Sequence, residues 1–76
     1  MSVCVLTVQV DREGKGWRAR CPSQERQSFS LQNADAAALQ LARGLAKERG
    51  QLFTQLSSFT TGLYQVRLED DLEVAL

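Results

Sequence analysis

The sequence predicts a small α+β protein in which one helix covers one face of a largely antiparallel sheet. Two observations support this prediction. Residues 34–49 combine helical periodicity with a start and a stop signal, and the stretches on either side alternate as strands do. The length of 76 residues allows one hydrophobic core, so we expect a single domain over residues 1–76 with the element order β-β-β-α-β.

The first two strands are predicted at residues 3–10 and 17–21. VCVLTVQV is almost wholly β-branched or apolar, and WRARC alternates up to Pro22, which cannot donate a hydrogen bond to a sheet. The intervening DREGKG carries two glycines, which suit a hairpin loop. Pairing Val10 with Trp17 leaves Cys4 and Cys21 offset, so we expect two free thiols rather than a disulfide.

A third strand at the edge of the sheet is predicted at residues 27–31. In QSFSL, Phe29 and Leu31 share one face and the two serines share the other. The larger apolar side chains favour burial, so Phe29 and Leu31 are expected on the helix side.

The helix is predicted at residues 34–49, and both of its ends have local signals. Asn33 is a favourable N-cap, Asp35 adds negative charge in the first turn, and Gly50 suits the left-handed residue that follows a helix. Its apolar stripe is rich in alanine, which lets the helix axis approach a sheet closely.

The segment beyond the helix is less regular. Residues 51–62 place Leu52, Phe53, Leu56 and Phe59 at helix-like spacing, which favours a short helix or an ordered loop. LYQVRL at residues 63–68 alternates as a fourth strand does, and residues 70–76 form an acidic tail or a short extra strand.

A right-handed crossover through the helix would place the last strand parallel to the first and beside it. The predicted four-stranded sheet, mostly antiparallel, then has the strand order 3-2-1-4, with one helix on one face. The predicted core is Leu6, Val8, Val10, Trp17, Ala19, Cys21, Phe29, Leu31, Ala38, Leu41, Ala42, Leu45, Tyr64, Val66 and Leu68.

The uncovered face of this sheet and the acidic C-terminal end are the candidate partner-binding surfaces. Two valines on an open strand face, beside arginines, favour contact with another molecule. Four acidic residues near the C-terminus could meet a basic surface. The candidate residues are Val3, Val5, Arg18, Arg20, Arg67, Glu69, Asp70, Asp71 and Glu73.

Composition argues against several classes of function. The chain has no histidine and only two cysteines, so we expect no enzyme activity, no metal site and no cofactor. The net charge is zero, which disfavours a nucleic-acid binder, yet residues 1–49 carry a charge of +3 and residues 50–76 carry −3. No apolar run has the length of a membrane span and no leader pattern is present, so we expect no membrane contact and a cytoplasmic location.

The stretches EGKGWRARCP and SLQNADAAALQLARGLAK, followed by the strand at 63–68, resemble the HicB-type antitoxin domain. The resemblance covers about residues 3–50 and 63–68, and it does not extend to the separate DNA-binding segment that this family usually carries. It implies a trimmed ribonuclease-H-like sheet, binding to a small HicA-type toxin that cleaves messenger RNA, and a dimer.

Two functions from different classes are compatible with these patterns. The first is a small non-enzymatic protein-binding module that inhibits or regulates a partner, either antitoxin-like or a virus-encoded inhibitor of a nucleic-acid-processing complex. Its partner would be another protein, basic or nucleic-acid-binding, and the chain itself would be a homodimer. The alternative is a small protein that binds RNA or another single-stranded nucleic acid through Arg18, Arg20 and Arg67.

Overall fold

The computed structural model describes residues 3–70, apart from the side chain of Phe59. This range contains five strands that form one sheet in the order β3-β2-β1-β5-β4, in which neighbouring strands are antiparallel. The helix lies on one face of the sheet. The elements are β1 (Val3–Glu13), β2 (Gly16–Cys21), a 3₁₀ turn (Pro22–Gln24), β3 (Arg26–Ser30), α1 (Ala34–Arg49), β4 (Gln51–Thr60) and β5 (Leu63–Asp70).

The predicted four-stranded topology is wrong, because residues 51–60 form strand β4 rather than a helix or a loop. The register of β4 against β5 shifts between Phe53 and Gln55 and again between Ser58 and Thr60. A β-bulge inserts an extra residue, so Phe53 and Leu56, three positions apart, pair with Leu68 and Val66 on the same face. That spacing resembles helical periodicity, although a bulged strand produces it.

The extra strand also changes the direction of the last one. β5 runs antiparallel to β1, with Leu6 opposite Val66, whereas the four-strand prediction made these two strands parallel. A tight turn through Thr61 and Gly62 joins β4 to β5. Gly62 has a φ of 80°, and its carbonyl accepts a hydrogen bond of 2.7 Å from the Val10 amide, so this turn is fastened to β1.

Helix α1 has the bounds that its end signals predict. The Asn33 side chain accepts a hydrogen bond of 2.7 Å from the Ala36 amide, and Gly50 takes a φ of 64° in the left-handed region. The face turned to the sheet is made of small or aliphatic residues. They are Ala37, Ala38, Leu41, Ala42, Leu45 and Ala46, all buried.

The β1–β2 hairpin has a tighter turn than predicted. Both strands extend to a two-residue turn at Gly14 and Lys15, and Gly14 takes a φ of 59°, as the first central residue of a type II′ turn does. Val10 therefore pairs with Ala19 and not with Trp17. Because the shift is two residues, each side chain keeps the face that the sequence predicts.

The prediction that Phe29 and Leu31 are buried is wrong. β3 pairs with β2 so that Ser30 lies opposite Trp17 and Phe29 lies opposite Arg18. The serines of β3 therefore face the helix side, Phe29 faces the opposite side, and Leu31 is 69% exposed. Trp17 is only partly buried against the core. The buried apolar residues are Leu6, Val8, Val10, Ala19, Cys21, Ala37, Ala38, Leu41, Ala42, Leu45, Ala46, Tyr64, Val66 and Leu68.

Tyr64 joins the sheet to the start of the helix. It is buried, and its hydroxyl donates a hydrogen bond of 2.5 Å to a carboxylate oxygen of Asp35. Burial, together with the hydrogen bond to Asp35 and its negative charge, raises the pKa of Tyr64 to about 12, compared with 10.0 for a free phenol.

We therefore expect the Tyr64 phenol to ionise near pH 12 in the folded protein and near pH 10 in urea. Because folding raises this pKa, the stabilisation is complete below pH 10 and is lost as the pH rises towards 12. Tyr64 is the single tyrosine, so tyrosinate absorbance reports it directly. Asp35→Asn should lower the folded pKa, and ionisation of the native protein near pH 10 would contradict this environment.

Candidate functional site

The face of the sheet opposite α1, called the open face here, carries most of the residues singled out as partner-binding. Residues of β1 alternate between the two faces, so Leu6, Val8 and Val10 are buried under the helix while Val5 and Thr7 are exposed. Antiparallel pairing continues this alternation across neighbouring strands, because directly opposed residues share a face.

Three exposed aliphatic side chains lie together at one end of the open face. Val3 is 45% exposed and Val5 is 55% exposed, while Leu52 on β4 is 50% exposed. Glu69 of β5 pairs with Val3 on one side and with Leu52 on the other, which places the three strands side by side. We call Val3, Val5 and Leu52 the apolar end.

An ion pair borders the apolar end. Arg67 lies opposite Val5, and its Nε is 3.8 Å from a carboxylate oxygen of Glu69 on the same strand. The structure thus brings together four of the predicted site residues: Val3, Val5, Arg67 and Glu69. Leu52 was missed, because its place on the open face depends on the pairing of β4 with β5.

The acidic C-terminal end is described only as far as Asp70. Asp70 pairs with Gln51 at the end of the β4–β5 ladder, and its Oδ1 accepts a hydrogen bond of 3.1 Å from the Gln51 side chain. Glu69 therefore lies on the open face beside the apolar end, whereas Asp70 and Gln51 point to the other side of the sheet. The predicted site residues Asp71 and Glu73 lie outside the described residues.

The other end of the open face is polar and already bonded internally. Arg18 Nε donates a hydrogen bond of 2.6 Å to Glu13 Oε2, and this bond lowers the pKa of Glu13 below its usual value. The Arg18 guanidinium also lies 5.1 Å from the centre of the Phe29 ring. The same ring covers Gly16, whose missing side chain leaves space for it.

The three predicted arginines do not converge. Arg18 pairs with Asp11, whereas Arg67 pairs with Val5, six positions earlier on β1. That separation is about 20 Å along the strand at 3.4 Å per residue. Arg20 lies between these levels, opposite Gln9.

The charges of the open face also balance. Its basic side chains are Arg18, Arg20 and Arg67, and its acidic ones are Asp11, Glu13 and Glu69. Trp17 and Tyr64, the other aromatic candidates for stacking on bases, lie on the helix side. The described residues of this face therefore do not form the continuous basic and aromatic track that single-strand binders use.

Between residues 3 and 70 there is no group of three or more side chains that could hold a metal ion, and Cys4 and Cys21 are both free thiols. None of the described helices combines the length and the apolar character needed to cross a membrane.

No protein-family model matches this chain, and neither the curated proteins nor the solved structures include a significant match.

Proposed function

We propose that this chain is a non-enzymatic protein-binding module that inhibits or regulates its partner by occluding the partner's working surface. The partner would be a toxin of the kind that antitoxins neutralise, or a nucleic-acid-processing complex of the kind that viral inhibitors target. The observation that carries the proposal is the apolar end: three aliphatic side chains, each about half exposed, on one face of the sheet beside an ion pair.

The energetics fit docking of a protein. Covering the exposed halves of Val3, Val5 and Leu52 would contribute on the order of 3 kcal/mol, at about 1 kcal/mol for each half-buried side chain. That is too little for a tight complex by itself, so neighbouring polar contacts must add to it. Glu69, which lies between Val3 and Leu52 on the open face, could attract a basic surface and speed association.

Nucleic-acid binding is the weaker alternative. The three arginines that would contact the nucleic acid pair with different positions along β1 and β5 rather than lying together. Each of them shares the open face with an acidic neighbour. Electrostatic attraction of a phosphate backbone needs an excess of positive charge, which residues 3–70 do not provide on this face.

Capture of partners from the source cells by the tagged chain tests the proposal. The complex should survive nuclease treatment and give a defined stoichiometry by native mass spectrometry. Val3→Thr combined with Val5→Thr keeps two β-branched residues but removes two exposed methyl groups, and should reduce capture roughly tenfold. Leu31→Thr is the matched control, since Leu31 is exposed but lies off the open face.

A second pair of substitutions separates the two functions. Arg18→Glu with Arg20→Glu should leave protein capture largely intact, because these residues pair with Asp11 and Gln9, at least four positions along β1 from Val5. If instead capture disappears with nuclease and with the arginine substitutions while the valine variant behaves as wild type, the nucleic-acid alternative is correct.

A further inference from the structure

The outer edge of β3 is a second surface that could bind another chain. β3 pairs with β2 in unbroken register over five residues, and no described strand lies on its other side. The backbone groups along such an edge are a template for another strand. Proline, lysine and β-bulges commonly protect edge strands, and β3 has none of the three. β4, at the opposite edge, has two register shifts that make it a poorer template.

The side of α1 next to β3 is also uncovered. A cavity of about 330 Å³ lies between Ser28 of β3 and Gly44 of α1. A Cβ built on Gly44 would have no neighbouring atom within 4 Å, and glycine inside a helix is less stable than alanine. Nothing among the described residues requires glycine at this position. A second chain that approaches α1 at the level of Ser28 would explain it.

The charged side chains beside this edge lie at its two ends. α1 runs antiparallel to β3, so Glu48 lies near Arg26 at the start of the strand and Arg43 lies near Ser30 at its end. Glu48 and Arg26 form an ion pair of 2.7 Å. Arg43 makes no hydrogen bond or ion pair within the described part of the chain. Because a carboxylate has about four acceptor sites, Glu48 can accept a second guanidinium.

We infer that β3 pairs antiparallel with β3 of a second copy of this chain, about a two-fold axis at Ser28. This register pairs all five residues of the strand, because Ser28 is the middle one. Arg26 then lies opposite Ser30 of the second copy, and Gln27 lies opposite its Phe29. A shift of one residue would set the serines against side chains of the open face, whereas directly opposed residues share a face.

Charge complementarity identifies the occupant as a second copy. The two-fold axis brings the end of β3 in one copy beside the start of β3 in the other. Arg43 of each copy therefore approaches Glu48 of the other, on the helix side of both sheets. Arg26 faces a serine across the strands, so like charges are not directly opposed. Such an isologous interface closes with two chains.

The dimer is separate from the proposed docking surface. β2 lies between β3 and β1, and the apolar end is on β1 and β4, so joining the β3 edges leaves the apolar end of each copy exposed. Val3→Thr with Val5→Thr should therefore leave the dimer unchanged, and the inference can fail or succeed independently of the proposed function.

Sedimentation velocity of the full-length chain over a range of concentrations tests the inference. We expect a reversible dimer with a dissociation constant in the micromolar range. A pair of five-residue strands is smaller than the standard interface of about 1,600 Å², which favours moderate affinity. A mass of one chain at about 1 mM would overturn the inference.

A lysine at the two-fold axis separates this interface from other ways of forming a dimer. Ser28→Lys would place two ammonium groups together and should raise the dissociation constant at least tenfold. Ser58→Lys is the matched control, because Ser58 also lies on an edge strand and is paired with Tyr64 of the helix side. No change with Ser28→Lys, or equal weakening by both substitutions, would overturn the inference.

Amide hydrogen exchange of the wild type gives the same information if Ser28→Lys does not fold. Residues 26–30 should exchange more slowly at high than at low protein concentration, whereas residues 51–60 should not change. Concentration-dependent protection confined to other strands would overturn the inference. Protection of β3 that appears only with a captured partner would also overturn it.

A charge exchange tests the contact between the two helices. Arg43→Glu and Glu48→Arg each oppose like charges in their own dimer, whereas a mixture of the two variants restores opposite charges at both contacts. We expect the mixed dimer to exceed its statistical proportion about fivefold in native mass spectrometry, which is the scale of exposed ion pairs. A statistical mixture would overturn the inference.

Discussion

Replacing Leu68 by alanine should destabilise the protein by about 2–5 kcal/mol, which is the usual cost of emptying a fully buried leucine site. Leu68 is 0% exposed and lies on β5 beneath the helix, next to other core residues of the sheet. A domain of this size is stable by only about 5–10 kcal/mol, so this one substitution would remove a large share of its stability.

Leu52→Ala is the matched control, because Leu52 lies on β4 but on the open face and is 50% exposed. We expect its free energy of unfolding in urea to change by less than about 1 kcal/mol, since little buried surface is lost. The same substitution should weaken partner capture. Equal destabilisation by the two substitutions would mean that the open face is covered within the folded chain and cannot be the docking surface.

Replacing Gly16 by alanine should cost about 2–3 kcal/mol, which is the scale of overpacking a filled site. A Cβ at this position would overlap the Phe29 ring and come within 2.7 Å of the Ser30 carbonyl oxygen. The ring can move, but the carbonyl belongs to the backbone of β3, so the β2–β3 pairing must shift.

Gly44→Ala is the same chemical change with the opposite expected sign. Its new Cβ meets no atom within 4 Å, and alanine in a helix is favoured over glycine by about 1 kcal/mol. Thermal and urea unfolding of both variants measure the difference. Stabilisation by Gly16→Ala would contradict the placement of Phe29 over β2.

The parts of the fold that depend on local signals could be predicted from sequence. Asn33 and Gly50 determine the ends of α1 through their own backbone conformations and caps, so the predicted helix bounds agree with those of the structure. The alternation in β1 assigned Val3 and Val5 to the open face. The error in the predicted β1–β2 register did not change this assignment, because a shift of two residues does not exchange the faces.

The parts that depend on distant pairing could not be predicted. The apolar spacing in residues 51–60 arises from bulges that exist only when β4 pairs with β5, so neither the fifth strand nor Leu52 was recognised. The alternation in β3 leaves two choices of face, and the burial of Ser30 rather than Phe29 follows from the pairing with β2. The ion pair between Arg18 and Glu13 could not be predicted either, because it forms only when the two-residue turn joins β1 to β2.

The apolar end as a protein-docking surface is tested most directly by methyl NMR of the labelled chain with its captured partner. Saturating partner should shift or broaden the methyl signals of Val3, Val5 and Leu52, and leave those of Leu31 and Leu39 unchanged. Perturbation confined to Leu31 and Leu39, with the apolar end unaffected, would place the partner between β3 and α1 and contradict docking on the open face.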